Sequence, residues 1–213
     1  MTRRRLIASL ALVLGAVAGL PGAWAHEGHA AAVSLEMLTR TVVPIENAPP
    51  LDAGMLVGTD GKPASAKLLR GHWTLLYFGF TSCQDVCPTT LATLARVARD
   101  SSSGVSDGRT GIVFVSVDPA HDTPARMRSY LGAFDSHIVG LGGEMAAVRR
   151  FGTAAGAGFE ATGSGSDHST SIFVLDVSGR PVAALLRPSD PKRIIADLAN
   201  LRASHDPAVA TRP

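Results

Sequence analysis

Cys83 and Cys87 are the only two cysteines in the chain, and Gln84, Asp85 and Val86 stand between them. If the intervening turn is helical, residues four apart share one face, with Cα atoms about 6 Å apart. Sulfurs placed that way can close a disulfide or chelate one soft metal ion. A redox Cys-x-x-Cys would be tighter by one residue. The wider loop leaves room for an ion, which would need at least one more ligand from elsewhere. A plain structural disulfide is the third reading in an exported chain. The spacing alone does not choose among them.

The elements around the pair say where it sits. Trp73 to Phe80 is an apolar, aromatic-rich run without alternation, bounded by turn signals, as expected of a strand buried on both faces. After Pro88, Leu91, Leu94, Ala95 and Ala98 recur at helical spacing. Proline is tolerated at a helix start, where its missing N–H would find no partner anyway. Both thiols are therefore expected at a strand-to-helix junction, near the positive end of a helix dipole that favours thiolate.

At 213 residues and 46% hydrophobic content, the chain can build one domain with a real core and still leave length for a processed segment and tails. A net charge of +2 with no basic stripe argues against nucleic acid as a partner. Arg3, Arg4 and Arg5 precede an uncharged apolar run, Leu6 to Leu20, and then Ala23-Trp24-Ala25. That is the pattern of a secretory signal peptide with an Ala-x-Ala cleavage site, which predicts an exported protein in an oxidising compartment. The periplasm or the outer face of the inner membrane fits. The expected organisation is a signal peptide over 1–25, a linker over 26–50 marked by Pro44, Pro49 and Pro50, a domain over 51–204 and a tail over 205–213. Gly61-Lys62 is no phosphate loop, because the upstream glycine is missing and Pro63 replaces the hydroxyl residue.

Along the domain, Met55 to Thr59 reads as a short strand. Ile112 to Val117 is a buried strand ending at Asp118-Pro119, and Asp122 or Thr123 can cap a helix that has Pro124 at its first position. Met127, Tyr130, Leu131 and Phe134 form that helix's apolar face. His137 to Leu141 reads as a strand and Glu144 to Phe151 as a short helix. A glycine-rich stretch then leads to Asp167-His168-Ser169. Ile172 to Asp176 and Pro181 to Leu186 read as a hairpin, followed by a helix from Pro191 with Ile194, Ile195, Leu198 and Leu201 inward. Strands alternating with helices predict an α/β domain, and a cysteine pair at a strand-to-helix junction points to a thioredoxin-like fold with a central mixed sheet flanked by helices. Sites in such sheets gather at the carboxyl ends of strands. Cys83, Asp118 and His168 each lie at an end or approach of one. His72, His121 and His137 read as solvent-facing, and Tyr77, Phe78 and Phe80 as core.

Three separated segments in order carry a family resemblance: Phe80-Thr-Ser-Cys83-Gln-Asp85-Val-Cys87-Pro88, Ser116-Val-Asp118-Pro-Ala-His-Asp122-Thr-Pro124 and Asp167-His168-Ser169. The Asp176-Val-Ser-Gly179 turn fits as well. Together they resemble the SCO/SenC family of copper-binding, thioredoxin-like proteins, over about residues 51–201. The resemblance implies a metallochaperone that delivers copper to the dinuclear copper centre of cytochrome c oxidase subunit II, or maintains the thiols there. A copper donor and a thiol reductant are the further partners it implies. It maps the copper ligands onto Cys83, Cys87 and His168, and gives Asp85 and Asp118 supporting or partner-facing roles. The chemistry agrees: two thiolates and an imidazole make a soft, low-coordinate site suited to Cu(I), with Cu(II) the second candidate. A closed structural zinc site would want four protein ligands. In the oxidised form Cys83 and Cys87 would bridge.

Taken singly, His168 reads as a surface histidine and Asp118 as an ordinary strand-end carboxylate; only the combination makes them site residues. The competing class is an enzyme, a thiol–disulfide oxidoreductase or peroxidase with Cys83 attacking and Cys87 resolving. The leader makes its own prediction. Intact mass of protein from an envelope fraction is expected to show a chain starting at His26. A retained Met1 in membranes would show an anchor instead.

Overall fold

The computed structural model describes residues 41–157 and 170–205. Seven strands form one sheet: β1 (Val42–Pro44), β2 (Val57–Gly58), β3 (Trp73–Gly79), β4 (Thr110–Ser116), β5 (Ile138–Gly142), β6 (Ile172–Leu175) and β7 (Pro181–Leu185), in the order β1-β7-β6-β3-β4-β5-β2. β3, β4 and β5 run parallel, while β6, β7, β1 and β2 pair antiparallel with their neighbours. Among the described residues four α-helices accompany it: α1 (Val86–Arg99), α2 (Pro124–Gly132), α3 (Met145–Ala155) and α4 (Pro191–Ser204).

Every residue of β3 is buried, and alternate side chains serve two cores. Trp73, Leu75 and Tyr77 join Leu91, Leu94 and Val97 of α1, Met127 and Leu131 of α2, and Ile194 and Leu198 of α4. Leu76 and Phe78 point the other way, among Val148, Phe151 and Ala155 of α3 and Leu51, Leu56 and Leu69 from the segment before β3. The lack of polar alternation along Trp73 to Phe80 thus has its expected cause. Ile195 and Leu201 pack against the first core at its margin, as do Tyr130 and Phe134. Among the described residues no helix is long and apolar enough to cross a membrane.

Several boundaries differ from the sequence reading; α3, expected over Glu144 to Phe151, runs over Met145–Ala155. Val42–Pro44, inside the stretch read as linker, adds an edge strand on β7, with Pro44 at its last position, where no ladder is lost. The strand expected over Met55 to Thr59 shrinks to Val57–Gly58, because Asp52 caps a 3-10 turn over Ala53–Met55. Pro88 falls at the third helical position, still within the four whose N–H groups lack helical partners. Of the two caps considered for α2, Thr123 takes the role, its hydroxyl accepting from Arg126 N at 3.2 Å.

The β6–β7 turn closes on Gly179, where φ is +81° and an added Cβ would lie 2.9 Å from the Leu69 carbonyl oxygen. Asp176 locks the same turn by accepting from the backbone N–H groups of Ser178 and Arg180. Gly179→Ala is therefore expected to destabilise the domain by about 1–3 kcal/mol through left-handed backbone strain and that clash. Urea unfolding midpoints measure it, with the slope unchanged.

Candidate metal and redox site

β3 ends at Gly79, and the chain turns through Phe80 to Asp85 before α1 begins. Cys83 lies in this loop, half-buried, and Cys87 lies fully buried in the first turn of the helix. Both are free thiols. The Cys87 N–H donates to Cys83 Sγ at 3.4 Å, so the two sulfur-bearing residues meet directly across the helix start.

Their surroundings drive them apart chemically. Burial pushes the Cys83 thiol up, but the backbone N–H groups of Asp85, Cys87 and Val86 and a hydrogen bond with the Cys87 side chain outweigh it, and the net shift is downward. These are the unpaired donors of a helix N-terminus aimed at one sulfur. Cys87 goes the opposite way, pushed up to about 11, chiefly by burial and further by the charge on Cys83.

Tyr77 is the residue that the sequence reading left in the core without further duty. It is buried, and its hydroxyl donates to Cys87 Sγ at 3.5 Å. Burial beside the two sulfurs raises its own pKa strongly. Gly79 is the second omission: a Cβ there would meet Cys87 Sγ and the Phe114 ring at 2.9 Å. Only a glycine lets the sulfur lie against the strand end. The third is the Tyr130 hydroxyl, buried with no hydrogen-bond partner among the described residues. Burial and the nearby charges of Cys87, Cys83 and Asp122 raise its pKa to about 12. The available signal was a hydroxyl on an otherwise apolar stripe, at Tyr77 on β3 and at Tyr130 on α2.

The other sequence candidates divide. Asp85 is the residue before α1; its side chain is exposed and makes no capping hydrogen bond. Asp118 follows β4; its backbone N–H donates to Ser116 Oγ at 3.1 Å, and its carboxylate meets His121 Nδ1 at 2.9 and 3.0 Å. His121 and His137 are exposed, as read, with His137 paired to Asp135. His168 lies outside the described residues. Among the described residues no three Cys, His, Asp or Glu side chains cluster as a metal site. Chemically the pair offers one accessible sulfur favoured as thiolate and one sheltered sulfur beside a hydroxyl donor. Such a pair can grip a soft ion or undergo thiol–disulfide exchange.

This asymmetry sets the reactivity of the reduced, metal-free protein. Iodoacetamide is expected to modify Cys83 at least tenfold faster than Cys87, which waits for unfolding. The Cys83 rate should rise with pH and level off below the ordinary thiol range, because thiolate is the attacking form. Mass spectrometry of timed aliquots reads both sites.

Known proteins resemble this chain in sequence and fold. A protein-family model described as SCO1/SenC matches residues 54–203. Bradyrhizobium japonicum ScoI, solved with copper bound, is 35% identical, with a TM-score of 0.58 over 72% of this chain and 98% of that one. Yeast Sco1 with copper bound is 28% identical, with a TM-score of 0.62 over 78% and 94% of the two chains. Among curated relatives, the mitochondrial SCO1 homolog 1 of Arabidopsis thaliana is 43% identical over 88 residues, 41% of this chain and 26% of that protein. A relative from Stutzerimonas stutzeri is likewise spanned over only 57% of its length. The fold is the thioredoxin-like one of the Sco structures, and the chain, with its cysteine pair where a parallel strand meets a helix, belongs to the SCO1/SenC family.

Proposed function

We infer that the protein is an exported copper chaperone that carries one copper ion on Cys83, Cys87 and His168. The observation that carries this reading is the pair of free thiols, one only half-buried and favoured as thiolate, at the helix start of a SCO1/SenC domain. Copper is cargo here. Thiolates select Cu(I) among the available metals, and the family's solved members include copper-bound forms. His168 supplies the imidazole, and Asp85 and Asp118 line the approach that a client would use. The client is the dinuclear copper site of cytochrome c oxidase subunit II, to which the protein delivers copper or whose thiols it maintains. Export through the leader over 1–25 puts it in the periplasm or at the outer face of the inner membrane.

One observation favours a second reading. An accessible thiol shifted down and a buried partner shifted up is the pattern of an attacking and a resolving cysteine. The same pair could therefore run thiol–disulfide exchange, with Cys83 forming the mixed disulfide and Cys87 displacing the partner's sulfur to leave Cys83–Cys87 bridged.

The ligand set distinguishes the two. Reduced mature protein is expected to take up one Cu(I) per chain. Cys83→Ser or Cys87→Ser should nearly abolish binding, because serine offers no thiolate at neutral pH. His168→Ala leaves two thiolates, which Cu(I) accepts in linear geometry, so Cu(I) is weakened while Cu(II) is lost. Competition against a Cu(I) chelator, with X-ray absorption counting sulfur and nitrogen neighbours, measures this. If His168→Ala keeps the parent's Cu(II) affinity and nitrogen count, His168 is not a ligand. Insulin reduction without stoichiometric copper uptake would favour the oxidoreductase.

A further inference from the structure

Asp122 is 4% exposed, yet among the described residues no lysine or arginine pairs with it directly. Its carboxylate accepts from Thr81 N at 3.0 Å, from the Thr81 hydroxyl at 2.5 Å and from the Ser116 hydroxyl at 2.6 Å. The Thr81 hydroxyl in turn accepts from Arg126 Nε at 2.7 Å. One hydroxyl therefore stands between a guanidinium and a buried carboxylate, and that hydroxyl is two residues before Cys83. A buried carboxylate is costly unless fully hydrogen-bonded. Here two of its bonds come from the loop residue Thr81 and the third from Ser116 at the end of β4.

The topology shows what the arrangement holds. Gly79 and Ser116 are ladder partners at the ends of β3 and β4, and Val117 N donates to Gly79 O at 2.9 Å. Two loops leave these adjacent ends, one carrying Cys83 and the other Asp118. Asp122 returns from the second loop to bind both Thr81 and Ser116, while Cys83 N reaches back to Phe80 O at 3.3 Å. The cysteine loop is thus fastened at its root by a contact 41 residues away in sequence.

We propose that Asp122, acting through Thr81 and neutralised across its hydroxyl by Arg126, is a positioning device that holds Cys83 ready to bind metal before any ion arrives. The inference rests on the copper reading for its metal arm alone. A loop fixed in advance loses little freedom on binding, so the ion is held more tightly and released more slowly. Asp122 touches neither sulfur, and its effect on the metal passes through Thr81.

Thr81→Val, Thr81→Ser and Asp122→Asn test it, by amide hydrogen exchange on the reduced metal-free protein and by the rate at which the Cu(I)-loaded protein yields its ion to a chelator. Loss of a hydrogen bond to a charged group is worth about a tenfold change or more. Thr81→Val is expected to speed exchange at residues 81 and 83 about tenfold, and Cu(I) release by a similar factor. The amides of Leu75 to Phe78 should keep the parent's rates. Thr81→Ser, which restores the hydroxyl, should restore both. The proposal is overturned if Thr81→Val matches the parent in both readouts, if serine does not rescue, or if the β3 amides accelerate equally, which would mark general loosening. Should Asp122→Asn fail to fold, the two Thr81 variants carry the test. A parent that takes up no Cu(I) defeats the copper reading, while the exchange arm still decides whether the clamp exists.

Discussion

Strand β3 has no face left for water, and the site follows from that constraint. With Leu75 and Tyr77 in one core and Leu76 and Phe78 in the other, the backbone of β3 can satisfy its polar groups only through β4 and β6. The chain can become polar again only past Gly79. There it must turn, and the first exposed donors it meets are those of its own next helix. A sulfur placed in that turn lies among N–H groups that have no helical partner. The dense packing below gives the helix start a rigid floor, and the amides above give Cys83 its charge preference.

The same floor makes the two sulfurs unequal. Cys87 belongs to the helix and is driven into the first core against Tyr77 and Gly79, where charge is disfavoured. Cys83 belongs to the loop and faces the amides and solvent. Four residues of separation across a coil-to-helix boundary thus produce one sheltered and one available donor.

Much of this was legible in the chain itself. The unbroken apolar run of Trp73 to Phe80 announced a doubly buried strand, and the proline and leucine spacing after Cys87 announced the helix. The Asp176-Val-Ser-Gly179 turn, the capping threonine before Pro124 and the closing helix from Pro191 each rest on a local rule that the structure obeys. The edge strand at Val42–Pro44 was less visible. Three residues pair there only because β7 offers an open ladder, and no local preference records the presence of a partner far along the chain. Tyr77 was read as core, and it is core; its second role depends on where Cys87 Sγ ends up.

What the sequence determined by itself was therefore the local grammar: which segments extend, which coil, and that two thiols share a helix start, since periodicity and capping act over a few residues. Tertiary structure decided which of the two sulfurs is sheltered and which hydroxyl reaches it. It also decided that Asp122, equally plausible as a cap for its own helix, turns inward to Thr81 and Ser116 instead. Such choices depend on distances between segments tens of residues apart. They are settled by which buried polar groups can find partners once the sheet has assembled, and only the folded chain brings those partners together.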